Sequence, residues 1–193
     1  MLGINLRLRK NEDAVKWFLA AILYSKPIRE SSATRTYQCF EKHGVVTARR
    51  IVGAGWDRLV KILDEGGYTR YDFSTADKLL EVFGNLEKWY GGDLNKLYDR
   101  SRDGVEVEAN LKKLGKGIGE TTVSIFLRDM RHIWKKAAPK PTPLVTIAME
   151  RLGVRDLEEY AKKHRIHPVR LETALVRYSK NFLKKRKPLK IVL

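Results

Sequence analysis

"LKKLGKGIGETTVSIFLRDMRHIW", residues Leu111–Trp134, contains the end of one helix, a turn closed by two glycines, and the start of a second helix rich in basic residues. Gly117 and Gly119 bracket Ile118, so the turn can take positive φ and bring its backbone close to a ligand with no Cβ in the way. The first amides of the following helix, around Gly119 to Thr122, have no partners inside it and carry the positive end of its dipole. That setting suits a phosphate oxygen. Thr121 and Thr122 can add hydroxyl donors, Lys113 and Lys116 add charge, and Ile118 is expected to point inward and pin the two helices together. The plain alternative is an ordinary tight helix–helix turn.

Charge points the same way. The 193 residues hold 39 Lys and Arg against 23 Asp and Glu, a net charge of +16, and the isoelectric point is near 10.0. Basic groups in such excess repel one another unless a polyanion lies among them, which makes nucleic acid the expected partner and an anionic membrane the main rival. The single cysteine, Cys39, excludes an internal disulfide framework, an all-cysteine zinc site and an iron–sulfur cluster held by one chain. The apolar patch in MLGINLRLRKNEDAVKWFLAAILYSKP is too short and too interrupted for a membrane span or a secretory segment. The expectation is a cytoplasmic monomer with no cofactor, no metal and no membrane partner.

The apolar spacing is helical nearly throughout. Ala14, Trp17, Phe18, Ala21 and Ile22 recur at three and four, as do Leu59, Ile62 and Leu63, and again Leu79, Leu80 and Phe83. No run alternates as a half-buried strand would. Asp57, Ser74, Asp156 and His167-Pro168 mark helix starts, while Gly44, Gly66-Gly67, Gly84, Gly91-Gly92 and Gly153 mark stops. Eight or more short helices follow, with a basic tail, KKRKP, at Lys184 to Pro188 that is read as a solvated terminus or a backbone-phosphate contact.

With these residues in view, G-I-G-E-T-T-V-S-I resembles the helix-hairpin-helix element of the endonuclease III-like DNA glycosylase superfamily, whose pattern is G-[IV]-G-x-x-T-A-x-x-[IL]. DAVKWFLAAILYSKP resembles the family's early helix carrying A-I-L-S-Q. LVKILDEGGYTRYDFSTADKLLEVF resembles its segment of a helix, a G-[FY] turn and a K-A-x-x-L helix, and PTPLVTIAMERLGV resembles V-D-T-H-V-x-R-V-x-x-R-L-G. Together these cover roughly residues 13 to 155 in order. The resemblance implies an all-α, two-lobed fold with duplex DNA across the cleft and a damaged base flipped into it. One lobe would be formed by both chain ends, residues 1–30 with 130–193. The other would comprise residues 31–129 and contain the hairpin at 111–128.

The departures from the family pattern carry chemical meaning. The family's lyase lysine, two residues after the second hairpin glycine, falls on Thr121, and its near-invariant aspartate falls on Thr142. The glutamine expected after A-I-L is replaced by Tyr24-Ser25-Lys26, and the cluster cysteines are missing, as in several branches of the superfamily. Breaking an N-glycosidic bond calls for a carboxylate that stabilises the developing sugar cation or activates water. Strand cleavage calls for an amine of lowered pKa, a desolvated lysine or one beside another cation. Lys140 and Asp129 are the nearest replacements for the catalytic pair. Lys140 is otherwise a solvated linker lysine, and Asp129 otherwise a partner of Arg128, Arg131 or Lys136. His132 shares a face with Asp129.

Loop aromatics supply pocket or wedge candidates, because a flipped base or the gap it leaves calls for planar side chains on short loops. These are Tyr24, Tyr68, Arg70 and Tyr71, together with His132. The expected function is base-excision repair by a DNA glycosylase, with or without lyase activity on abasic (AP) sites. The alternative is a binder of lesions or abasic sites that keeps the fold without the chemistry.

Overall fold

The computed structural model describes residues 2–137 and 139–183, and the tail Lys184 to Pro188 lies outside them. The protein is all-α: among the described residues there are ten α-helices and no strand. The first seven are α1 (Asn11–Tyr24), α2 (Glu30–Lys42), α3 (Ala48–Glu65), α4 (Asp72–Tyr90), α5 (Leu94–Arg100), α6 (Gly104–Lys113) and α7 (Glu120–Met130). They are followed by α8 (Pro143–Leu152), α9 (Leu157–Lys163), α10 (Pro168–Tyr178) and a π-helical turn, Ser179–Leu183. No helix among the described residues is long and apolar enough to cross a membrane.

The chain forms two compact units, Met1–Pro139 and Lys140–Leu193. This division differs from the lobes implied by the family resemblance, because the first helix does not join the C-terminal residues. Instead α1 is the central helix of the first unit, packed on α2, α5 and α7. Its residues Phe18 to Leu23 are all buried, so it behaves as a core helix on nearly every face. Phe18 meets Phe126 of α7 edge-on at 5.0 Å and Phe83 of α4 at 6.1 Å, tying three helices to one ring. Trp134, fully buried, stacks on Tyr98 at 4.8 Å and keeps its indole N–H bonded to Asn95 Oδ1 at 3.1 Å. Residues 130–137 are therefore held in this same core. The second unit has its own smaller one, built from Val145, Ala148, Met149, Val154, Leu157, Ala161, Leu171 and Leu175.

Most helix ends match their sequence signals. Asp156 caps α9 by accepting from the Glu159 amide at 2.7 Å, and Pro168 opens α10 after His167. Gly91 and Gly153 close α4 and α8 in the left-handed region. Three positions differ. Ser74 lies inside α4, which starts at Asp72. Asp57 lies inside α3, just past a bend where Gly55 takes φ 72°. Gly84 does not stop α4: Leu79, Val82, Phe83 and Leu86 are fully buried on both sides of it. Burying four such side chains outweighs the roughly 1 kcal/mol that a mid-helix glycine costs.

Candidate functional site

The α6–α7 turn, residues 114–119, is held by one face of α4. Lys78 Nζ donates to the Gly117 carbonyl at 3.0 Å, Glu81 Oε2 accepts from the Lys116 amide at 3.1 Å, and Asn85 Nδ2 donates to the Leu114 carbonyl at 2.9 Å. Positions 78, 81 and 85 follow helical spacing, so three consecutive turns of α4 supply the partners. Contact is close enough that a Cβ on Gly115 would fall 2.6 Å from Val82 Cγ2, and one on Gly117 would fall 2.9 Å from both Cε and Nζ of Lys78. Gly117 takes φ +82°, where glycine is favoured. Gly119 does not: its φ is −106° and nothing lies within 4 Å of the space its Cβ would fill. Only Gly117 fulfils the expectation of positive φ.

Ile118 is buried, as anticipated, and Lys113, Lys116, Gly119 and Thr121 are exposed. Thr122 is not a surface donor, since it is 2% exposed and turned into the core. Gly119 opens α7 with no side-chain cap, leaving the first amides of the helix without a side-chain acceptor. Glu120 at the first helical position carries a negative charge there and is ion-paired with Lys112.

Beside the turn is a cluster that the sequence did not reveal. Lys78 is 8% exposed. Burial is the main cause of its lowered pKa, and the adjacent Lys26 amine lowers it further. Among the described residues neither lysine has a carboxylate partner. The Lys26 ammonium also lies 5.4 Å from the centre of the Tyr71 ring, with the Arg70 guanidinium 5.7 Å from that same ring. The segments after α1, after α3 and after α6 thus meet around one buried amine. Lysines have no motif of their own, and the only available signal was position 78 falling on the apolar side of α4 beside Leu79 and Val82.

Tyr68 is a core residue, 1% exposed, and its hydroxyl donates to the Leu23 carbonyl at 2.7 Å. It is not available as a wedge. Tyr71 packs edge-on against it at 6.4 Å and is half-buried. Tyr24 is also half-buried, its hydroxyl 2.7 Å from Thr34 Oγ1, and burial raises its pKa. His132 shares Nε2 with the Leu6 carbonyl at 2.7 Å, while its Nδ1 is buried without a partner, so the ring faces the N-terminal segment and not the turn.

Asp129 is paired with Arg128 at 2.7 Å, each side chain 17% exposed, as one of its alternatives anticipated. Its charge is therefore already matched within α7. Lys140 is an exposed residue at the head of the second unit and is not brought into the Lys78 cluster. Thr142 precedes α8 and makes no capping hydrogen bond.

A separate open groove of about 590 Å³ lies at the bend of α3, lined in part by His43, Arg49, Arg50 and Arg58. It gathers three guanidinium groups on one surface of the first unit. Among the described residues, no group of three or more His, Cys, Asp or Glu side chains could hold a metal.

No family model, curated protein or solved structure matches the chain.

Proposed function

We propose that this protein binds duplex DNA through the α6–α7 turn in the manner of a helix-hairpin-helix DNA glycosylase and acts in base-excision repair. The observation that carries the reading is the turn itself. It has a left-handed Gly117, an inward Ile118, an uncapped α7 N-terminus and exposed Lys113, Lys116 and Thr121 on a chain of net charge +16. A phosphate at the free amides would gain charge-assisted hydrogen bonds from the backbone and Coulomb attraction from the lysines. Such contacts fix position on the duplex and carry no base sequence. Tyr71, Arg70 and Tyr24, on segments near the turn, are the side chains available to an unstacked base or to the gap it leaves.

The second reading is a non-catalytic binder of lesions or abasic sites. It is favoured by Thr121 and Thr142 at the positions of the family's lysine and aspartate, and by the closed Arg128–Asp129 pair. A panel of duplexes carrying oxidised, deaminated, alkylated and abasic sites separates the two. Release of a base from any duplex supports the enzyme, and tight binding without release from all of them supports the binder. Binding should weaken with salt at a log–log slope of about −0.9 per phosphate contact, and a flat dependence removes both readings.

A further inference from the structure

We infer that Lys78 is an amine nucleophile that captures the aldehyde of an abasic deoxyribose held at the α6–α7 turn. The inference rests on the DNA-binding reading above and adds to it a reacting atom and a substrate class.

An amine is nucleophilic only when it has shed its proton, and desolvation and a neighbouring cation are the two means by which proteins achieve this near neutral pH. Both act on Lys78, which is 8% exposed, has the Lys26 amine beside it and lacks a carboxylate partner among the described residues. The amine is also fixed in space. One N–H is directed at the Gly117 carbonyl 3.0 Å away, which leaves the nitrogen's lone pair free in the neutral form. Gly117 contributes a second feature: a Cβ there would lie 2.9 Å from Nζ, so the missing side chain is what gives the amine its room. A turn whose amides hold a backbone phosphate would therefore carry the adjoining sugar to a neutral, oriented amine. Neither Thr121 nor the exposed Lys140 offers this combination of burial, a second cation and contact with the turn.

The step balances without an oxidant or a metal. The neutral Nζ adds its lone pair to C1′ of the ring-opened sugar, and a proton passes from nitrogen to the former carbonyl oxygen. A second proton, taken from solvent, lets that oxygen depart as water and leaves a protonated imine joining Lys78 to C1′. Borohydride added from outside delivers hydride to that carbon and turns the linkage into a stable secondary amine.

The test uses the full chain and a duplex with one abasic site, with and without borohydride, followed by gel shift, denaturing gel and peptide mass mapping. The expected result is a covalent adduct on Lys78 that is lost in Lys78→Arg, which retains the charge and a donor toward Gly117 but has no primary amine. Lys78→Gln should lose it as well. Mapping the adduct in the unaltered chain decides the matter even if both variants fold poorly. An adduct on any other residue overturns the inference, as does binding of the abasic duplex without an adduct. Either of these outcomes leaves the DNA-binding reading standing, whereas failure to bind any duplex overturns that reading and this inference together.

Discussion

Lys78 and Gly117 share one space: the amine lies 3.0 Å from the glycine carbonyl and would meet a Cβ on that residue at 2.9 Å. The turn and the buried cation are therefore a single structural unit, and the two glycines of G-I-G are not equivalent. Gly117→Ala should cost about 1–2 kcal/mol from the left-handed backbone alone, with more from displacing Lys78. It should also weaken binding to all duplex sequences alike. Gly119→Ala, at φ −106° with open space around it, should change stability by less than about 0.5 kcal/mol. Urea unfolding of the two variants side by side checks this, and equal losses would show that the turn geometry is misassigned.

Glu120 places a carboxylate at the first helical position of α7, where a phosphate is proposed to bind, and Lys112 offsets it. Glu120→Gln should raise DNA affinity about two- to fivefold at low salt, with the gain shrinking as salt screens the exposed charges. Titration at two ionic strengths measures it. Weaker binding in the variant would place the phosphate elsewhere.

Close approach of α2 and α3 depends on Gly66. A Cβ there would lie 2.3 Å from Thr36 Cα and 2.2 Å from Thr36 Oγ1, and a backbone atom cannot step aside as a side chain can. Gly66→Ala should therefore destabilise at the upper end of the range for overpacking, about 3 kcal/mol. The denaturation midpoint reports it. A loss below about 1 kcal/mol would mean that the helices separate without cost.

Glu65 accepts from Lys42 Nζ at 2.8 Å and from His43 Nε2 at 2.6 Å, and these two hydrogen bonds lower its pKa to about 2. A carboxylate whose pKa is depressed by folding stabilises the protein above its unfolded pKa, and that contribution disappears as pH falls. The loss should run from about pH 4.5 down to about pH 2. Because the group is exposed, the effect is modest. The difference in melting temperature between the unaltered protein and Glu65→Gln should be present at pH 6 and shrink at pH 3. A difference constant over that range would show that the pair carries no linked protonation.

Helix content, helix ends and the phosphate-binding character of the turn are legible in the residues because each depends on neighbours in sequence. Apolar spacing at three and four sets a buried helical face, a proline fixes the first turn of α10, and a glycine closes α8 by taking a conformation that other residues avoid. Ile118 and the Arg128–Asp129 pair were readable for the same reason, one lying inside the turn and the other joining adjacent residues.

Tertiary structure decided whatever required distant segments to meet. Burial kept α4 running through Gly84, because the cost of one glycine is local while the gain from Phe83 and Leu86 comes from helices elsewhere in the chain. Packing made α1 the centre of the first unit, set Tyr68 in the core with its hydroxyl on Leu23, and turned Thr122 inward. It also paired Lys78 with a carbonyl 39 residues away. A lysine in a sequence looks solvated. Its proton affinity and reach are set by the water removed around it and by the groups brought beside it, and both depend on how α1, α4 and the α6–α7 turn pack in three dimensions.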